Sequence, residues 1–479
     1  MDSTSTDLTS ALARFTSTLN LADVPTDVKA DARRLLLDSI GCILAAARTR
    51  MAPIVHGLAE LLGDGNVASI AGCKQRASLA GALYANGRLA NCMDLDETFP
   101  VGHHFGAGAV VAALALAEAR KATGSQFLQA LIAGYELGGR VASACGAHIF
   151  GKTGSVSHFS VSTVLAAAGV AIQLEAQDET LARQTLGIAG SNTPLPSMWP
   201  GKSMELPDSK YQDAGWAVLA GVFAARSATL GATGLSAIFD SERGLIKMCG
   251  TDRFDPDTLV GDLGSRWMLS DITYKPWPTC RWMHQPLTAL VMAASRATID
   301  PQQIESILIG TNVLVSGPRF CNSTPRTWVS RQYSFPHAVA MVLLGIPVGP
   351  AWLDDTTDDI QHVKELREKV RVESWDVAND YPGRIVRGQL RNMPARITIV
   401  MRDGSRLEAE TDFALGDPWK SDTAYGDDHV VEKFRVVSGL SKARADVVIQ
   451  AILSIEKQVS VEPVVSVLRD ADGFLGAQE

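Results

Sequence analysis

Aromatic residues are scarce in this chain. Phe, Trp and Tyr together make up 6% of its 479 residues, while Ala and Gly are abundant. That balance disfavours a β-sandwich and fits closely packed helices. No cationic block occurs, and 44 Lys and Arg against 52 Asp and Glu leave a net charge of −8. Nucleic acid is therefore not an expected partner. An acidic chain can still bind an acidic substrate where its few cations gather in one cleft. The seven cysteines are odd in number, scattered from Cys42 to Cys321, and never form Cys-x-x-Cys. This argues against a disulfide framework and a structural zinc site, and for a reducing compartment. Long apolar runs are also missing. The longest, such as 109–117, are too short to span a bilayer. The first residues, Met-Asp-Ser-Thr-Ser-Thr-Asp, are polar and acidic, unlike a targeting peptide. A cytoplasmic protein with no membrane partner is the expectation.

Several catalytic signatures are absent as well. No Gly-x-Gly-x-x-Gly opens a helix after a strand, and no Gly-x-x-x-x-Gly-Lys-[Ser/Thr] occurs, so no nucleotide cofactor is expected. There is no His-Glu-x-x-His. His103 and His104 are adjacent, so on regular structure they point apart and rarely share one metal. No metal is expected, although a site assembled from distant residues stays open. No Gly-x-Ser-x-Gly elbow occurs, which disfavours a hydrolase of that type.

What is present reads as a two-part globular chain. Hydrophobic residues at 46% and charged residues at 20% are a normal globular balance. The length exceeds one ordinary core. Apolar periodicity predicts helices over 26–47, 77–92, 107–121, 125–147, 160–174, 178–190 and 214–230. In the first, Thr26 or Asp27 can cap the helix after Pro25, and Gly41 sits inside it. Gly costs helix stability, so close approach by another helix is the expected reason. The texture changes near Trp267. Residues 304–315 alternate and are β-branched, 333–345 read as a buried helix, and 358–371 as a charged helix. Residues 395–400 and 406–412 alternate on either side of Arg402-Asp-Gly404, a hairpin signal. Helical patterns return over 430–437, 442–457 and 462–469. The expected class is mainly α, with a large all-α domain over 1–266 and a smaller α+β domain over 267–410. The segment 411–479 is expected to pack back on the first domain.

The chemistry concentrates in Asn91-Cys-Met-Asp-Leu-Asp-Glu-Thr-Phe-Pro-Val-Gly-His-His104, where three acids, a Thr and two His interrupt small-residue helices. Either it is a solvated loop with helix caps or a site requires it. Further candidates are His158, otherwise a histidine at a helix start, and Lys210 with Asp213, otherwise a solvated first turn suited to the helix dipole. His284 closes a segment dense in Trp, Pro and cations that contains Lys275 and Arg281.

Taken in order, these motifs resemble the MmgE/PrpD family, which includes 2-methylcitrate dehydratase, cis-aconitate decarboxylase and iminodisuccinate epimerase. The resemblance runs over nearly the whole chain. It rests on Leu36-Leu-Asp-Ser-Ile-Gly-Cys42, Met93-Asp-Leu-Asp-Glu-Thr98 with His104, and Ser157-His158. It continues through Lys210 with Gly215-Trp-Ala217, Lys275-Pro-Trp-Pro-Thr-Cys280 with His284, and Ser334-Phe-Pro-His-Ala-Val-Ala340. Gly416-Asp-Pro418 through Lys433-Phe434 completes it. The resemblance implies a helical domain, an α+β lid, a homodimer, no cofactor or metal, and a cleft between the domains. It implies catalytic roles for Asp94, His104, His158, Lys210 and His284, and substrate-binding roles for Thr98, Lys275 and Arg281. Asp96, Glu97 and His103 fall to the supporting or solvent-facing side. Asp213 departs from the pattern, since many relatives carry His there, and Pro100 stands where some have His. Both departures point away from the standard tricarboxylates.

The family's reactions share a carbanion or enolate beside a carboxylate. Such an intermediate needs cations against its oxygens and a base of near-neutral pKa. Histidines can supply the base, and Lys210 and Arg281 can clamp carboxylates. The expected activity is a cofactor-free lyase or isomerase on a small di- or tricarboxylic acid, with 2-methylcitrate dehydration first. Decarboxylation of cis-aconitate, epimerisation of iminodisuccinate and a non-catalytic ligand-binding member are the alternatives.

Overall fold

The computed structural model describes residues 7–146, 159–193, 204–210, 213–241, 244–249, 251 and 253–470. The chain is mainly helical. We number the principal helices α1 (Leu8–Thr18), α2 (Thr26–Ala46), α3 (Met51–Leu61), α4 (Leu79–Cys92), α5 (Gly106–Arg120), α6 (Gly124–Cys145), α7 (Phe159–Leu174), α8 (Glu179–Ser191) and α9 (Ala214–Thr229). Every helix that periodicity predicts here is present, with ends shifted by a residue or two. Helices α1 and α3 are additional. The first is short and rich in Ser and Thr, so its apolar stripe of Leu8, Leu12 and Ala13 is thin.

Helix α7 lies at the centre and packs against α5, α6 and α9. Its Ala166, Ala167 and Ala168 are fully buried, and so small a core lets helices approach closely. Gly41 in α2 does what its position predicts. A Cβ there would stand 3.2 Å from Val437 Cγ2 and 3.3 Å from Phe434 Cδ2. The close neighbour is a C-terminal helix, which follows below.

The second layer starts at α10 (His284–Ala294) and continues through α11 (Phe335–Leu343) and α12 (Val363–Lys369). Its sheet comprises β1 (Ile304–Thr311), β2 (Val370–Ser374), β3 (Ala395–Met401) and β4 (Arg406–Thr411), in the order β2-β1-β3-β4. The β3–β4 hairpin turns at Gly404, whose φ of 83° is left-handed. Strands β1 and β2 pair in parallel, so the long connection through α11 and α12 is a crossover. Helix α10 covers the sheet by packing on β3 and β4. The expected helix over 358–371 is shorter than predicted. Residues Asp355–Asp359 form a 3-10 turn, and the chain becomes extended at Val370. There the β-branched Val370 and Val372 pair with Ile307 and Ile309, and tertiary pairing overrides the helical pattern.

After the sheet come α13 (Asp427–Val437) and α14 (Lys442–Leu453), both packed on α2, followed by short helical turns between Ile455 and Arg469. Among the described residues, no helix is long and apolar enough to cross a membrane.

Candidate active site

The stretch between α4 and α5 is not a solvated loop. Asp94, Asp96, Glu97, Thr98, His103 and His104 are all buried, at 5% exposure or less. Of the two expected placements for Asp96, Glu97 and His103, supporting or solvent-facing, burial leaves the supporting one. The segment is buried because other parts of the chain satisfy its backbone. Thr98 and Thr273 exchange backbone hydrogen bonds of 2.9 and 3.0 Å, and Phe99 N–H donates to His103 O at 2.8 Å. Asp94 adopts φ 55° and Lys210 φ 50°, left-handed conformations uncommon for non-glycine residues. Such strain, on the order of 1–3 kcal/mol per residue, persists only where the surroundings enforce it.

Asp94 is the hub. Lys275 Nζ lies 2.5 Å from its Oδ1 and Lys210 Nζ 3.5 Å from its Oδ2. Tyr333 Oη donates to Oδ2 at 2.8 Å, and His104 Nε2 stands 3.8 Å from Oδ1. Burial alone would raise the Asp94 carboxyl, but Lys210, Lys275 and His104 hold it well below the usual carboxylate range. Lys210 also donates to Asn91 O at 3.0 Å. Burial lowers its ammonium below the ordinary lysine value, while Asp94 and Asp96 oppose that shift.

His104 is oriented from below. Its Nδ1 is 2.8 Å from Glu97 O, and a carbonyl only accepts, so Nδ1 carries the hydrogen and Nε2 is the basic nitrogen. Thr98 Oγ1 stands 3.3 Å from the same Nδ1. Burial and Lys275 push this imidazole down to about 4, against Asp96 and Asp94. It is therefore neutral at neutral pH. Glu97 is a buried acid whose pKa burial and Asp96 raise well above the ordinary value. Its Oε1 accepts from Gly106 N–H at 2.7 Å. A Cβ at Gly106 would lie 2.6 Å from Glu97 Cδ, so a side chain there would displace the carboxylate from this position. His103 turns the other way, with Nδ1 3.0 Å from Ser162 Oγ.

Other predicted residues lie nearby or apart. His284 is buried against Trp277, with ring centroids 5.5 Å apart, and its Nε2 is 3.2 Å from Thr279 O. Its Nδ1 is buried with no hydrogen-bond partner among the described residues. Burial, Arg281 and Lys275 hold His284 well below the ordinary histidine value. Arg281 does not join the Asp94 cluster. It pairs with Asp417 and reaches Gln285 Oε1 at 3.4 Å. With Thr98, Pro100, Trp282 and Leu390 it lines a narrow cleft between the two layers. Asp213 is the N-cap of α9, accepting from Gly215 N–H at 3.0 Å, as its helix-dipole reading requires. His158 lies outside the described residues.

Sequence reasoning missed three contributors. Tyr333 donates to Asp94, Gln332 Nε2 to Cys92 O at 2.9 Å, and Lys433 Nζ to Leu95 O at 2.8 Å. All three lie beside or inside motifs that carry the resemblance, and that proximity was the available signal. Ligand atoms of Asp94, Asp96 and His104 lie within 4.8 Å of one another, the spacing of a metal site. Lys275 Nζ already stands there, 2.5 Å from Asp94 and 4.0 Å from Asp96, as the counter-cation. The arrangement can hold a carboxylate against two ammoniums beside a neutral imidazole.

Family models for the MmgE/PrpD N-terminal and C-terminal domains match residues 10–257 and 277–457. The cis-aconitate decarboxylase-like protein oryM of Aspergillus oryzae is 24% identical, over 96% of this chain and 97% of its own length.

Proposed function

The chain belongs to the MmgE/PrpD family, and from that premise we propose that it is a lyase acting on a small di- or tricarboxylic acid. The reaction runs through a carbanion or enolate beside a substrate carboxylate. One observation carries the reading: two buried ammoniums and a neutral imidazole converge on Asp94 from three separate parts of the chain. Cations fixed in a water-poor site stabilise charge that develops during reaction far better than cations in water.

In this reading Lys210 and Lys275 exchange part of their pairing with Asp94 for a substrate carboxylate, and Thr98 and Arg281 hold a second one. His104 Nε2 takes the α-proton. An imidazole near 4 is a weak base in the empty site, but a polyanionic substrate beside it raises that value toward the range where proton transfer is efficient. In dehydration the C–H electrons form the double bond as hydroxide leaves, and the proton that His104 took passes to it, so water departs and the imidazole is neutral again. Decarboxylation is the second reading, favoured by the likeness to the fungal cis-aconitate decarboxylase-like protein. There the C–C electrons stay on carbon as CO₂ departs, and protonation of that carbon completes the step.

The test is incubation in D₂O with 2-methylcitrate, cis-aconitate and iminodisuccinate, followed by NMR. Loss of water from 2-methylcitrate is expected, and CO₂ release from cis-aconitate would select the second reading. If none of the three acids is turned over and none exchanges deuterium, the proposal is overturned for these substrates.

A further inference from the structure

Among the buried charge pairs that take no part in the proposed reaction, Lys433–Asp38 is the one that also reaches the site segment. Lys433 projects from α13 into the helical layer, where its side chain is 6% exposed. Its Nζ lies 2.6 Å from Asp38 Oδ1, on α2, and donates to Leu95 O at 2.8 Å. Asp38 is fully enclosed as well. Leu95 is the residue between Asp94 and Asp96. A lone core ion pair contributes little net stability once desolvation is counted, so its retention calls for another reason. The third contact supplies one. A backbone carbonyl in the middle of the site segment is held by a charge-assisted hydrogen bond from the C-terminal helix.

We infer that Lys433 is a positioning residue that holds the 94–98 turn in its catalytic conformation. The inference rests on the proposed use of Asp94 and His104. Three ties converge on that turn. Thr98 is fixed through Thr273, Asp96 through Asn91 Nδ2 at 2.9 Å, and Leu95 through Lys433. Asp94 sits at φ 55° directly before the Lys433 tie, and Glu97 O, which orients His104, lies two residues beyond it. The close approach of α13 to Gly41 keeps the ammonium in reach, because a side chain at Gly41 would push Phe434 and Val437 outward. The C-terminal helix is on this view part of the active site, although none of its residues touches substrate.

The experiment compares backbone amide exchange, turnover and stability in three variants. Lys433→Met alone would strand the Asp38 carboxylate in the core and can unfold the chain. The informative variant is therefore Asp38→Asn with Lys433→Met, which removes both charges and the Leu95 tie together. In it, exchange at the Asp94, Thr98 and Phe99 amides should rise at least tenfold. The kcat should fall at least tenfold with a smaller change in KM. Lys433→Arg, which can still donate to both partners, should keep exchange and kcat near those of the parent chain, and a tenfold rise in site exchange in this folded variant overturns the inference even where the double variant does not fold. Glu456→Gln is the control, because it breaks another ion pair joining α2 to the C-terminal segment, Arg33 Nη1–Glu456 Oε1 at 2.6 Å, that does not touch the site turn. It should leave site exchange unchanged. Unchanged exchange in the folded double variant overturns the inference, and so does an equal rise in Glu456→Gln. The exchange measurement needs no substrate, so it decides the inference even where the proposed reaction fails.

Discussion

His104 and His337 each sit in a buried cluster with a pair of cations, and only the first cluster resembles a catalytic site. The first is His104 with Lys210, Lys275 and Asp94. The second is His337 with Arg331, Arg367 and Asp358. Both histidines are buried and both are pushed far down, His104 to about 4 and His337 to about 3. In each case burial is the largest cause. A depressed histidine therefore identifies neither as functional.

The difference lies in the cations and in where their counter-charges sit. His337 Nε2 is 2.6 Å from Trp352 O, and Arg367 Nη2 is 2.7 Å from Nδ1, so both ring nitrogens are committed to fixed protein partners. The arginines lead outward, Arg367 to Asp358 at 2.6 Å and Arg331 to Asp355 at 2.7 Å, and Asp355 is 87% exposed. This is a strut from core to surface, made of rigid planar forks. Around Asp94, by contrast, lysines and carboxylate are all at or below 1% exposure. An ammonium is a compact charge on a flexible stem and can re-pair with an incoming carboxylate.

The comparison can be broken most directly at the two histidines. His104→Gln should lower kcat by about 10²–10⁴-fold, the usual worth of a positioned general base, with the fold retained by circular dichroism. An equal loss in His337→Gln would erase the distinction.

A smaller effect is expected on stability. His337→Gln should cost about 1–3 kcal/mol, the penalty for disrupting buried hydrogen-bond partners, while kcat changes little. Its pH dependence carries a definite sign. The folded imidazole sits near 3 against an ordinary value of 6.5, so the unfolded chain binds more protons between them. The stability His337 contributes is thus fully present above pH 6.5 and is lost as pH falls toward 3. Urea melts of both proteins across that window should show the gap closing. A gap that widens on acidification would contradict the neutral strut.

The smallest effect belongs to the strut's outer end. Asp355→Asn removes a highly exposed partner and should cost about 0–1 kcal/mol by the same melts. A larger loss would mean that the strut draws its strength from the surface rather than from Trp352 O.

What the sequence by itself determined was the local part. The helices over 26–46, 79–92, 106–120 and 124–145, the hairpin at Gly404 and the close approach at Gly41 follow from patterns a few turns long. Propensity, capping and apolar periodicity act over that range. The site segment was visible for the same reason, as ionisable residues breaking an apolar pattern. Only the tertiary structure decided what surrounds it. Lys275 meets Asp94 across 181 residues, Tyr333 meets it across 239, and Lys433 meets Leu95 across 338. No local pattern encodes such pairings, because a buried charge is stable only where the fold delivers its partner. For that reason the sequence left Asp96 and Glu97 either supporting or solvent-facing, and the fold encloses them. Residues 370 and 371, the end of the predicted helix, likewise joined a strand once a parallel neighbour offered hydrogen bonds. The stretch from Asp94 to His104 was legible as chemistry, but its enclosure by four distant segments was legible only in three dimensions.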